Sequence, residues 1–380
     1  MEFQLSEAQK VLKETAREYM RGEVRPRLVE EGQGLPQECV EGFAKMGLLG
    51  ICLAEEYGGA ARPLLDAVLV IEEAIQVSYS AANLLHNANM GPARIIEKFG
   101  LEELKKKVLP QVIEGKAMIA PGMTEPEAGS ALTDIQTKAV LKGDHYTING
   151  AKTFQNLRAN YYLVYARVTE DKGARGIGAI LVSKDSPGFR YGSIIEFMGL
   201  KSRQGEIIFK ECRVPRENLV VGAGGFSKLM QGFNMERLGN AASCLGLAQY
   251  AIERSSKYVT ERKQFGKPIC EFQGVQFMLA DMILKTEAAR LLIYRAACNA
   301  GRDFPGSLES SLAKCFANEM VTDVTGLSIQ IHGGYGYCKE YGLEKVLRDS
   351  WGWVPAGGTI QIQKVTIASE FLGRRFDQRR

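Results

Sequence analysis

The sequence predicts an α+β fold built as three consecutive parts: helical, then β, then helical again. Three observations carry this reading. Apolar residues recur at three- and four-residue spacing from about residue 5 to 116, and again from about 224 to the end. Between those stretches the period drops toward two, with β-branched and aromatic runs set between Gly, Asp and Pro. Strand and helix signals nowhere alternate, and no Gly-x-Gly-x-x-Gly follows a strand, which disfavours a doubly wound dinucleotide-binding sheet. The expected divisions are 1–116, 117–223 and 224–380.

The first part opens with Ser6, which caps a helix carrying Val11, Leu12, Ala16 and Met20 on one face. Pro36 fits the first turn of a second helix that ends near Gly47. Residues 65–77 and 95–113 read as further helices, the latter with Lys105, Lys106 and Lys107 on a solvated face. In the middle part, 139–141, a Gly143-Asp144 turn, 145–148 and Asn149-Gly150 read as successive hairpins. Strands follow at 161–168, 177–182 and 206–209, making a small all-β barrel. The last part has long amphipathic helices at 245–259, 272–297 and 312–332, the third closed by Gly333 and Gly334.

A chain of 380 residues suits two or three packed units. With 45% hydrophobic and 24% charged residues it is globular rather than disordered. A net charge of +4 is no nucleic-acid signature, although Arg374, Arg375, Arg379 and Arg380 are locally basic. The eight cysteines form no Cys-x-x-Cys pair and the three histidines lie far apart, so no metal site and no disulfide framework is expected. Free thiols and the lack of a membrane span or signal segment fit a cytoplasmic protein.

Four segments carry chemistry. MTEPEAGS at 123–130 offers hydroxyls and free amides where the helical and β parts meet. At 261–266, ERKQFG presents Arg262 to a phosphate and Phe265 to a base, or else is a basic helix end stabilised by the dipole. The glycines of QIHGGYGY at 330–337 permit close backbone approach. GGTIQIQ at 357–363 opens the last helix with amides that accept an anion or a carbonyl oxygen.

Together with YTINGAK at 146–152, MGLKSR at 198–203, RVPRENL at 213–219 and the longer run ERKQFGKPICEFQGVQFMLADM at 261–282, these blocks make the chain resemble the acyl-CoA dehydrogenase flavoproteins from end to end. The resemblance implies that family's fold, with a central β-barrel and a C-terminal four-helix bundle. It implies an FAD-dependent oxidoreductase of fatty acid or amino acid catabolism that removes the α-proton and β-hydride of an acyl-CoA. Electrons would pass to electron-transfer flavoprotein, and the assembly would be a homotetramer, a dimer of dimers whose subunits complete each other's FAD sites.

Carried over by position, Met123, Thr124, Phe154 and Asn156 would lie on the flavin side. Arg262, Phe265, Gln330, Gly333 and Gly334 would hold pyrophosphate and adenosine, with Thr359 and Gln361 also on FAD. Ser130 and Arg237 would meet substrate, and the Gly357 N–H would donate to the thioester oxygen. The family's common base is a Glu just before the last Gly-Thr, and here that position is Gly357. Isovaleryl-CoA and long-chain dehydrogenases also lack it and use a Glu directly before an Arg on an earlier helix. Glu236, followed by Arg237, fills that place. Its bland alternative is a first-turn acid behind an Asn234 cap, paired with Arg237. Gln155, Asn156 and Arg158 beside the flavin, Ala131 and Gln361 also depart from the family pattern.

The expected activity is that of a dehydrogenase for a short, branched or cyclic acyl-CoA. The alternatives are an enoyl-CoA reductase, a desulfinase or a dehydrogenase of carrier-protein thioesters on the same fold, or an inactive flavin-binding protein.

Overall fold

The computed structural model describes residues 4–28, 34–198 and 204–376. Most of the MGLKSR block and the last two arginines lie outside the described residues.

Among the described residues, six α-helices form the first part. In α1 (Glu7–Tyr19) the expected cap is a complete capping box, with Ser6 and Gln9 bonding reciprocally. Pro36 is the cap of α2 (Gln37–Lys45) rather than a first-turn residue. Next come α3 (Leu64–Ile75), buried along its whole length, and α4 (Tyr79–Asn89), capped by Ser78. The helix expected over 95–113 is two: α5 (Pro92–Phe99) and α6 (Glu102–Ile113). Gly100 separates them, because its backbone is extended and a Cβ there would crowd the Ile96 carbonyl at 2.7 Å.

The middle part is a mixed sheet of β1 (Ile119–Gly122), β2 (Lys138–Lys142), β3 (His145–Asn156), β4 (Tyr161–Arg167), β5 (Ile177–Ser183), β6 (Phe189–Ile194), β7 (Gln204–Pro215) and β8 (Leu219–Val221). The path is β6-β7-β3-β2-β4-β5-β8, with β1 parallel to β4. β2 meets β4 through one pair, Lys138 with Arg167, yet Ile148, Val164, Ile180 and Phe209 from both halves share one core. The sheet therefore bends over itself like a barrel, while its path runs from β6 to β8. Gly143-Asp144 makes the two-residue β2–β3 turn as expected. Asn149-Gly150 is no turn: it lies inside β3, where the register shifts after Ile148.

The last part contains α7 (Phe226–Glu261), a short hairpin of β9 (Lys263–Gln264) and β10 (Lys267–Pro268), α8 (Gln273–Ala300), α9 (Ser307–His332), α10 (Leu343–Trp353) and α11 (Ile360–Phe371). α9 packs against α7, α8 and α11, so these four form the bundle. α7 begins well before Asn234, so Asn234 is interior and not a cap. α3 crosses between α1 and α7, and its buried Glu72 bonds Lys13, Arg290 and Tyr294, each at 2.7 Å, tying the two helical parts together.

Candidate active site

Small residues along α7 let the first-part helices come close. Ile95 packs over Gly232 and the His86 ring packs over Gly239. Glu236 lies between these glycines, and its side chain is only 13% exposed. Its Oε2 is 3.0 Å from His86 Nε2, and both Oε1 and the His86 Nε2 are buried with no hydrogen-bond partner. A Cβ at Gly91 would overlap that carboxylate, so the chain before α5 can pass beneath it only as glycine, here at φ +53°. Tyr165 on β4 closes the far side; burial, with the Glu236 charge adding to it, pushes its hydroxyl well above the usual range.

Arg237 does not pair with Glu236, contrary to the sequence alternative. Its Nη1 donates to Asn234 Oδ1 at 3.0 Å, and the guanidinium lies over Phe233. Nε has no partner, and burial brings the group down to about 10. The partner that meets Glu236 is His86, a residue sequence reasoning did not single out. Its signal in the sequence is slight: a lone histidine in the first helical part.

One turn beyond Glu236 on the same face of α7, Asn240 Nδ2 donates to Trp353 O at 2.9 Å and Ala356 O at 3.1 Å. This gathers the turn before α11. Buried Lys314 on α9 donates to Val354 O at 3.0 Å and Gly358 O at 2.6 Å, and Gln363 Nε2 reaches Gly357 O at 3.3 Å. Burial lowers Lys314 to about 8. The carbonyls of the turn thus face internal donors, and among the described residues the Gly357 and Gly358 amides donate to none. Both glycines are left-handed, at φ +72° and +89°. Lys314 and Asn240 were not marked by any motif, whereas Gln363 closes the GGTIQIQ block.

The Met123–Ser130 segment, numbered 123–130, is pinned to β3. Lys152 Nζ bonds Met123 O at 3.0 Å and Glu125 Oε1 at 2.8 Å, and Thr153 N bonds Thr124 O at 2.9 Å. Glu125 also accepts from the amides of Gln136 and Thr137. Burial alone would raise its carboxyl, but Lys152 and these donors hold it below the usual range. Ser130 is exposed, and a Cβ at neighbouring Gly129 would meet nothing within 4 Å.

Beyond Lys152 the β3 register shifts again, and Phe154 takes φ +59° with its ring 55% exposed. A left-handed aromatic residue in a bulge is a local strain that aims a side chain out of the sheet. Gln155 is buried, its Nε2 bonding Thr153 O. Asn156 Oδ1 accepts from Arg158 N at 3.0 Å and closes the following turn. The Arg158 guanidinium lies against Gly34.

Arg262, Phe265, Gln330, Gly333 and Gly334 gather at the other end of the bundle, while Thr359 and Gln361 follow the Gly357 turn. Arg262 follows α7 and lies over Tyr335, 5.5 Å from the ring centre. Phe265 and Gly266, both left-handed, form the β9–β10 turn, and Phe265 is 92% exposed. Gln330 is in the last turn of α9, followed by Gly333 and Gly334, where an added Cβ would meet nothing within 4 Å. Thr359 caps α11 through Ile362 N, and Gln361 is exposed. Along α7, Glu236 and Arg262 are about 39 Å apart at ~1.5 Å of rise per residue. The candidates therefore fall into two groups, two candidate half-sites far apart along one helix. Among the described residues no cluster of metal-ligating side chains occurs, and no helix is long and apolar enough to cross a membrane.

Family models for the N-terminal, middle and C-terminal domains of acyl-CoA dehydrogenases match residues 6–116, 120–212 and 223–372. The chain is 38% identical to an acryloyl-CoA reductase (NADH) of Anaerotignum propionicum, covering 98% of this chain and 97% of that protein. It is 35% identical to a short-chain-specific acyl-CoA dehydrogenase of Clostridium acetobutylicum, covering 98% and 100%. The solved butyryl-CoA dehydrogenase of Megasphaera elsdenii superposes with a TM-score of 0.93 at 33% identity, covering 98% of this chain and 100% of that one.

Proposed function

The chain belongs to the acyl-CoA dehydrogenase family, FAD-dependent oxidoreductases acting on CH–CH groups, and from that premise we propose that it removes the α-proton and β-hydride of a short, branched or cyclic acyl-CoA. The observation that carries this is the bare Oε1 of Glu236, one helical turn from the Asn240 that gathers the Gly357 turn.

A thioester α-proton is weakly acidic, so its removal needs a base and a partner for the charge that moves onto the thioester oxygen. Glu236 Oε1 takes the proton. The Gly357 N–H donates to the thioester oxygen, and Lys314, Asn240 and Gln363 hold the turn's carbonyls away from that oxygen. FAD, when bound, supplies the acceptor for the β-hydride. The residues present fit it: Phe154 is turned out of the sheet, and Gly129 and Gly334 are left bare with no internal reason to be glycine. Met123, Thr124, Phe154 and Asn156 would hold its ring side. Arg262, Phe265, Gln330, Gly333 and Gly334 would hold its other end, Thr359 and Gln361 would also touch it, and Ser130 and Arg237 would lie toward substrate.

Because the half-sites lie about 39 Å apart on α7, the second is contributed by a neighbouring subunit. A homotetramer meets that need, and the exposed Phe277, Leu284 and Leu291 on α8 give it an apolar face. Electron-transfer flavoprotein is the proposed electron partner. The test is anaerobic bleaching of the protein's flavin by a panel of acyl-CoAs, followed by product analysis. Bleaching with loss of two hydrogens supports the reading; no bleaching by any acyl-CoA sinks it. Faster turnover of enoyl-CoA with reductant would assign the reverse direction.

A further inference from the structure

We propose that His86 is a positioning residue for the base: its Nε2, 3.0 Å from Glu236 Oε2 and with no hydrogen-bond partner of its own, is poised to donate to that oxygen in the loaded enzyme and to fix the carboxylate with Oε1 left for the substrate. This rests on the reading that Glu236 is the base.

The pair is built into the fold. His86 reaches Glu236 from α4, a different segment of chain, at 3.0 Å, and both side chains are largely buried. Two glycines make the meeting possible. A Cβ at Gly239 would press on the imidazole at 2.5 Å, and one at Gly91 would overlap the carboxylate. Ordinary core packing would fill those places with side chains rather than leave a carboxylate and an imidazole in contact. Gly91 is also the cap of α5, whose N-terminal dipole favours the charged carboxylate.

The other ionisable groups near the pair do not take this role. Tyr165 faces it from β4 and is kept protonated by burial. Arg237, next along α7, spends its guanidinium on Asn234 and Phe233, and Lys314 on α9 is bonded to the Gly357 turn. A hydrogen bond to the ionised form favours that form. With Oε2 held by His86, Oε1 is the oxygen left to take the α-proton.

The test compares His86→Leu, His86→Gln and Glu236→Gln as FAD-loaded holoenzymes. The readout is the acid limb of kcat/KM against pH with the best-bleaching acyl-CoA. His86→Leu is expected to move that limb up by about one pH unit and to lower flavin reduction roughly tenfold, with acyl-CoA binding little changed. His86→Gln, which keeps a donor, is expected to restore most of both. A second readout leaves His86 intact. The chain has three histidines, so imidazole NMR resolves them. Glu236→Gln should shift the titration of His86 alone, leaving His145 beside Asp144 and His332 stacked on Tyr258 unmoved. An unmoved His86 signal, or an acid limb identical in His86→Leu and wild type, overturns the proposal. Fast flavin reduction in Glu236→Gln overturns instead the assignment of the base.

Discussion

Glu125 and Glu236 are both carboxylates set inside the molecule beside a basic side chain, and they differ in how far their lone pairs are used. Glu125, between the 123–130 segment and β3, accepts from Lys152 Nζ, Gln136 N and Thr137 N. Glu236, between α4 and α7, meets His86 with one oxygen and leaves the other buried and bare. A fully satisfied buried carboxylate is a structural device, because any reaction at it would break bonds already made. A half-satisfied one stores the capacity to take a proton. The motif that looks most chemical in the sequence, with Glu125 at its centre, therefore holds the sheet, and an unremarkable Asn-Met-Glu-Arg holds the proposed base.

The contrast predicts opposite effects for the same chemical change. Glu236→Gln removes basicity at nearly constant size. Flavin reduction by acyl-CoA should fall by about 10²–10⁴-fold in stopped-flow, the usual worth of a positioned base, with melting temperature almost unchanged. Glu125→Gln should do the reverse. It strands the buried Lys152 and costs about 3–5 kcal/mol in a denaturant titration, while FAD-loaded protein reduces its flavin within a few-fold of wild type. Equal catalytic loss in both variants would erase the distinction.

A pH series sharpens the structural half. The Glu125 carboxyl is held below its ordinary value in the fold, so the unfolded chain binds its proton first as pH falls. Its contribution is complete above about pH 4.5 and is lost as pH drops through the lower folded value. The stability gap between wild type and Glu125→Gln, read from urea midpoints, should be constant from pH 7 to 5 and narrow below that. A gap that persists undiminished at pH 3 would mean that the ion pair is not its source.

Moving the carboxylate tests whether Glu236 and position 357 serve one spot. Glu236→Gly with Gly357→Glu should recover part of the rate lost in Glu236→Gln. A Cβ at 357 meets only Asn240 Nδ2 at 3.8 Å and Lys314 Cε at 3.9 Å, so there is room. The left-handed φ of +72° costs a non-glycine residue about 1–2 kcal/mol, which limits the recovery. A double variant no faster than Glu236→Gln would show that the two positions address different atoms.

The sequence made the helical–β–helical order legible because periodicity is local and each part keeps one period over many residues. Glu236 could be proposed from the sequence because Gly357 vacates the competing position. What stayed hidden depends on contacts between distant segments. His86 meets Glu236 only because α4 crosses α7 at two glycines, and Lys314 and Asn240 matter only because the 354–358 turn folds onto them. Asn149-Gly150 misled for a related reason. It has turn chemistry, but the glycine is there because β3 passes so close to Thr137 that a Cβ would meet it at 2.5–2.8 Å.

The smallest expected effect lies on the flavin side, where Gln155, Asn156 and Arg158 depart from the family pattern. Each has an internal bond: Gln155 to Thr153 O, Asn156 to Arg158 N, and Arg158 packed against Gly34. Asn156 and Arg158 therefore belong with Glu125 by degree of satisfaction, while the Gln155 Oε1 is buried without a partner, and all three neighbour the outward-turned Phe154. Asn156→Thr keeps an oxygen for the Arg158 amide, since a Thr hydroxyl closes the same kind of turn more weakly. Stability should drop by less than about 1 kcal/mol. What changes is the amide dipole beside the Phe154 bulge, and polar groups next to a flavin tune its electronics. Spectroelectrochemistry of the loaded protein should find a shifted reduction potential, and the acyl-CoA bleaching profile should shift with it. If both match wild type, the polar trio is part of the sheet's internal bonding and has no bearing on the flavin.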